Sequence, residues 1–123
     1  MEVFYLKKEA CKIISLCIKV HKILGKGYRE NVYGNALEYK FKSNSIYKRE
    51  KKYNIKYKKI ILFRYYFSKF TVYNKIILKI KAIQQLTNSE IKQTLNYPAA
   101  SKNKIGLLIN FRENSLSYRR VIL

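Results

Sequence analysis

The spacing of hydrophobic positions changes period along this chain. Between residues 5 and 24, Leu6, Ala10, Ile13, Ile14, Cys17, Val20 and Leu24 recur at intervals of three and four, the spacing that lines one face of a helix. Gly25-Lys26-Gly27 ends that pattern, because glycine adopts left-handed backbone without steric cost. A second helix is predicted over residues 30–42, with Val32, Tyr33, Ala36, Leu37 and Phe41 on one side. The period then falls to two. Tyr53, Ile55 and Tyr57 alternate with Asn54, Lys56 and Lys58, as in a half-buried strand. A β-prone run over residues 60–73 follows, then a turn at Asn74-Lys75 and a third strand.

Thr87 with Glu90 three residues later has the form of a capping box. A helix is predicted from there to about Tyr97, where Pro98 limits it. The string KIGLLINF reads as a buried strand, and SLSYRRVI as a last strand after a short connection over residues 112–114. The order is ααβββαββ, without repeat or linker. The expectation is one α/β (α+β) domain spanning residues 1–123, with a mixed sheet flanked by helices.

The third strand poses a question. In KIILKIKA, alternation sends Ile76, Leu78, Ile80 and Ala82 to one face and Lys75, Ile77, Lys79 and Lys81 to the other. Two like charges two residues apart therefore share a side of an otherwise apolar strand. The chain as a whole carries 27 Lys and Arg against 7 acidic residues, a formal charge of +20. All seven acids are glutamates; there is no aspartate. Such a field attracts polyanions and favours nucleic acid as a partner, DNA or RNA undetermined. AT-rich codon bias would also produce this abundance of Lys, Ile, Asn and Tyr, and it leaves the same field.

Several chemistries are excluded. With one histidine (His21) and no aspartate, a nucleophilic triad lacks its parts. A zinc site lacks ligands, and Gly25-Lys26-Gly27 lacks the spacing of a phosphate-binding loop. Cys11 and Cys17 form no CxxC and read as small apolar residues in a reducing compartment. No apolar run is long enough to span a bilayer, and the first dozen residues show no secretory pattern. The expectation is a cytoplasmic protein without a membrane partner; its oligomeric state is not legible.

Two longer strings, VHKILGKGYRENVYGNALEYKF and KIILKIKAIQQLTNSEIKQTLNY, together with KIGLLINF and SLSYRRVI, resemble the GxxExxR proteins, a branch of the PD-(D/E)XK nuclease superfamily. The likeness runs in order from about Cys11 to Ile122. It implies a restriction-endonuclease-like fold. In intact members it also implies an Asp and a Glu on adjacent strands holding Mg²⁺, a Lys beside the attacked phosphate, and assisting Glu and Gln side chains on the early and later helices. Mg²⁺ takes hard oxygen ligands, and the metal activates water at phosphorus.

Carried over residue by residue, the family's catalytic positions fall on Glu30, Lys81, Gln93 and Tyr97. Lys79 stands where the metal-binding Glu belongs, and Lys69 where the Asp belongs. No metal site and no cofactor are then expected. Lys69, Lys79 and Lys81 become candidate phosphate contacts, and the protein a degenerate, catalytically inactive nuclease-like binder of nucleic acid. The alternatives are an active Mg²⁺-dependent nuclease using Glu30 and Glu90, a partner-binding module, and a decayed protein without activity.

Overall fold

The structure is a computed structural model. It describes the backbone of residues 7–44, 47–95 and 105–122, and the side chains of these except residues 44, 50–55, 63–68 and 93–95. The elements run α1 (Lys7–Leu24), α2 (Glu30–Asn44), β1 (Tyr47–Tyr57), β2 (Ile60–Val72), β3 (Ile76–Lys81), α3 (Asn88–Leu95), β4 (Ile105–Asn110) and β5 (Ser117–Ile122). This is the order read from the sequence. The first strand begins earlier than its alternation, at Tyr47, because its inner end pairs with the end of β2. Pro98 and the predicted end of α3 lie outside the described residues.

The five strands form one sheet in chain order, β1-β2-β3-β4-β5. All neighbours are antiparallel except β3 and β4, whose parallel pairing is what the intervening α3 allows. Alternation divides the sheet into two faces. Phe70, Val72, Ile76, Leu78, Ile80, Ile105, Leu107, Ile109 and Phe111 share one core with Ala10, Ile13, Cys17 and Val20 of α1 and Tyr33, Leu37 and Phe41 of α2. β4 is buried at all six positions. It is therefore covered on both sides, with α3 touching β4 and β5 from the second. No helix among the described residues is long and apolar enough to cross a membrane.

Several turns explain themselves locally. Gly25 and Gly27 have φ of 71° and 113°, and the Gly25 N–H closes α1 by donating to the His21 carbonyl at 2.8 Å. Between β2 and β3, Tyr73 and Asn74 both have positive φ, 56° and 60°, and the Lys75 N–H donates to the Val72 carbonyl at 3.2 Å. That is the two-positive-φ turn whose twist suits a hairpin. Its centre lies one residue earlier than the Asn74-Lys75 pair.

Arg49 anchors the inner end of β1 under α2. Its side chain is 3% exposed, its guanidinium carbon lies 5.3 Å from the centroid of the Phe70 ring, and Nη1 donates to Asn35 at 2.7 Å and to Glu38 at 3.1 Å. Glu38 also accepts from the Tyr47 hydroxyl at 3.0 Å. Gly34 makes room for this cluster, since a methyl group there would stand 2.7 Å from Arg49 Nη2. Gly34→Ala should gain about 1 kcal/mol of helix propensity and lose more by displacing the pinned guanidinium. In an Arg49→Ala background the same substitution should become neutral or stabilising. Urea denaturation of the two single variants and the double variant reads this coupling directly.

Candidate nucleic-acid interface

The side of the sheet turned away from α1 and α2 is where the charged positions converge. The β2–β3 register sets Lys69 directly opposite Lys79. Lys79 lies beside Leu108 of β4, and Leu108 beside Arg119 of β5. One row across four strands therefore reads Lys, Lys, Leu, Arg. The next row sets Lys81 beside Asn110, and Asn110 beside Ser117. Lys69, Lys79 and Lys81 are half-buried and Arg119 is exposed. Opposed residues on neighbouring strands hold their Cβ atoms about 5 Å apart. The Lys69 and Lys79 side chains thus leave neighbouring strands side by side on this face. Leu108, fully buried, separates that pair from Arg119 within the row.

The chain leaving β3 is held by two side chains. The Ala82 N–H donates to Glu30 Oε2 at 3.3 Å, so the first residue of α2 is tied to the backbone next to Lys81. Asn110, fully buried at the end of β4, acts as a substitute strand partner. Its Oδ1 accepts from the Ile83 N–H at 3.0 Å, and its Nδ2 donates to the Ile83 carbonyl at 2.9 Å and to Glu113 Oε2 at 2.9 Å. His21 Nε2 donates to the Glu113 carbonyl at 2.9 Å, which places the ring proton on Nε2. His21 thus ties α1 to the β4–β5 connection.

Glu90 lies in the first turn of α3. Its Oε1 accepts from the Thr87 N–H at 2.6 Å and the Thr87 hydroxyl at 2.8 Å, and Thr87 Oγ1 accepts from the Ser89 N–H at 3.3 Å. The capping box expected from the sequence is thereby formed. The Thr87 N–H chiefly, then its hydroxyl, hold the Glu90 carboxyl below its ordinary value, with a smaller contribution from Lys81.

Lys69, Lys79 and Lys81 are thus brought to one face, with Glu30 of α2 bonded to the backbone after Lys81 and Glu90 on the helix that follows. Gln93 lies on α3 one turn beyond Glu90, its side chain outside the description, and Tyr97 lies outside the described residues. Among the described residues no three His, Cys, Asp or Glu side chains form a group able to hold a metal ion.

The sequence reading missed Asn110 and Arg119. Asn110 is the one polar side chain in the six residues of β4, a signal visible in the string itself. It also missed a pocket of about 750 Å³ between Lys26-Gly27, Gln84 and residues 112–115. That pocket is walled by two loops that Tyr33 and Phe111 join by stacking at 4.4 Å. The Tyr33 hydroxyl donates to the Gly25 carbonyl at 2.6 Å, and Lys26 Nζ donates to Asn114 at 2.6 Å.

A model of the PD-(D/E)XK nuclease superfamily matches residues 7–121 of the chain. No curated protein and no solved structure matches it.

Two outcomes follow from these bonds. Asn110→Ala should cost about 1–3 kcal/mol, because it strands the half-buried N–H and carbonyl of Ile83; chemical denaturation measures it. The Glu90 cap, whose folded pKa is depressed, should contribute stability above the ordinary value of 4.5 and lose it as pH falls through the lower folded value. Glu90→Gln should accordingly lose less stability than the wild type between pH 5 and pH 3, read by thermal unfolding across that range.

Proposed function

The chain belongs to the PD-(D/E)XK nuclease superfamily, and from that premise we propose that it is a nuclease-like protein of the GxxExxR branch that has lost its metal site. In this reading it is catalytically inactive and holds nucleic acid weakly, without sequence choice, on the basic face of its sheet. The observation that carries the reading is the register. Lys69 and Lys79 are directly opposed on adjacent strands, the relation that an Asp and a Glu need in order to share one metal ion. Lys81 follows two residues later on the same face, as the lysine of a Glu-x-Lys motif does.

The donor chemistry at this corner does not fit Mg²⁺. An ammonium group has three N–H donors and no lone pair, whereas Mg²⁺ takes oxygen ligands. Two such groups at cross-strand distance repel a divalent cation. They suit a phosphate, which lysine binds as a point charge. Converting the acidic corner to a basic one therefore exchanges a cation site for an anion site on the same scaffold.

The competing enzymatic reading gives the metal to Glu30 and Glu90. Both carboxylates already serve the backbone, Glu30 at Ala82 and Glu90 at Thr87. Recruiting them would unmake the strand exit and the cap of α3.

The test uses binding and metal uptake together. Affinity for duplex DNA should fall steeply with salt, and the Lys69→Gln/Lys79→Gln/Lys81→Gln variant should flatten the log–log slope by about 2.7, at ~0.9 per phosphate contact. Lys69→Asp/Lys79→Glu should acquire a Mn²⁺ site detectable by calorimetry that the wild type lacks. A folded double variant that takes up no metal would remove the proposed correspondence. Mg²⁺-dependent cleavage by the wild type, abolished by Glu30→Ala, would replace the reading with the enzymatic one.

A further inference from the structure

β2 is 13 residues long but pairs with β3 over only four of them, Lys69 to Val72. Its remaining nine residues, 60–68, pair with β1 alone. At about 3.4 Å per residue, a two-stranded ribbon of about 30 Å contour length, interrupted by register shifts between Arg49 and Lys51, Lys51 and Tyr53, and Ile55 and Lys56, thus lies beyond the edge of β3. It begins at Lys69, in the basic row, and ends at the turn Lys58-Lys59 between the paired residues Tyr57 and Ile60.

The ribbon's composition is unlike that of a structural hairpin. Residues 47–72 contain nine Lys and Arg and a single acid, Glu50. Behind the turn, Tyr57, Ile60 and Leu62 are 59%, 63% and 62% exposed. Ile60, Ile61 and Leu62 are consecutive and all exposed, so at this end neither face of the ribbon is covered by the other described residues. Lys56, Lys58 and Lys59 are exposed around them. Exposed apolar side chains that no core uses, ringed by cations, mark an interaction surface.

We propose that this ribbon is an arm that enters the major groove of duplex DNA whose backbone lies on the Lys69–Lys79–Lys81 face. The inference rests on the nucleic-acid reading above and adds the substrate form. The major groove of B-form DNA is about 12 Å wide and 8.5 Å deep and admits a two-stranded β-ribbon. That depth corresponds to the two or three residue pairs nearest the turn, which are the ones carrying the exposed Ile60, Leu62 and the lysines. The lysines meet phosphates on the groove walls. The aliphatic groups meet thymine methyls, which only the major groove presents. A-form RNA has a major groove too deep and narrow for side chains to read, so the arm selects DNA over RNA among duplexes.

A lipid surface is the other polyanion that a basic, apolar tip can meet. The order of residues argues against it. The foremost positions of the ribbon are Lys58 and Lys59, with Lys58 Nζ turned back to 5.6 Å from the Tyr57 ring centroid. The aliphatic residues lie behind them. Insertion of this tip into hydrocarbon would carry two ammonium groups in first, whereas in a groove the same order places charge against phosphate.

The experiment measures binding of the full chain to a 20-base-pair DNA duplex, an RNA duplex of the same sequence, single-stranded DNA, and phosphatidylserine vesicles. Two tip variants, Lys58→Gln/Lys59→Gln and Ile60→Ser/Leu62→Ser, alter exposed positions only, and circular dichroism confirms that they fold. The lysine variant should weaken DNA-duplex binding about tenfold or more and flatten its salt slope by about 1.8. The aliphatic variant should weaken it without changing the slope. Both should leave single-stranded DNA and duplex RNA within about twofold of the wild type. Variants of Lys69, Lys79 and Lys81 should weaken binding to all three nucleic acids.

If the wild type binds DNA and the tip variants match it, or lose equally on all three nucleic acids, the arm is refuted while the basic face stands. If the wild type binds none of them, the basic face is refuted and the arm with it. Tip variants that lose vesicle binding and keep duplex binding would reassign the tip to a lipid surface.

Discussion

A strand alternates faces every residue, so the pairing register of β2 with β3 decides which side chains are buried and which meet across the sheet. The turn through Tyr73 and Asn74 sets that register. It brings Val72 opposite Ile76, Phe70 opposite Leu78, and Lys69 opposite Lys79. A slip of one residue would drive Lys69 into the core occupied by Phe41, Phe70 and Leu78, at the cost of desolvating an ammonium group. Apolar burial on one face and charge on the other thus enforce the same register. The basic row is the far side of the constraint that builds the core.

The rest of the site depends on how the ends of β3 and β4 are held. β3 runs out into residues 82–87, which have no strand to pair with. Glu30, Asn110 and Thr87 with Glu90 take over their backbone groups. Two of the chain's seven glutamates thereby serve the main chain, and a third, Glu38, neutralises the buried Arg49. A fourth, Glu113, accepts from the buried Asn110. The lysines stand on the helices as well as on the outer sheet face, the turns and the ribbon, and give the molecule its field.

The legible part of the fold was the part governed by short-range periodicity. α1, α2, the capping box of α3, and the faces of β3 and β4 followed from intervals of three, four and two and from one Thr–Glu spacing. What escaped was long-range. Asn110 pairs with Ile83, 27 residues away, and His21 with Glu113, 92 residues away; no local pattern encodes such partners. Arg119 was read as part of a basic closing strand, and only the neighbouring strands place it in line with Lys79. The inward start of β1 at Tyr47 and Arg49 was likewise missed, because those residues are buried by α2 and Phe70 and not by any alternation of their own.

The sequence alone determined the order of elements, the sign and size of the charge, and the absence of aspartate. These are properties of composition and local spacing, which need no partner to exist. Tertiary structure alone decided that Lys69 meets Lys79, that a buried asparagine closes the end of β3, and that the β1–β2 ribbon outruns its neighbour. Each of these depends on which segments stop pairing and where, and that is set by packing among strands far apart in the chain.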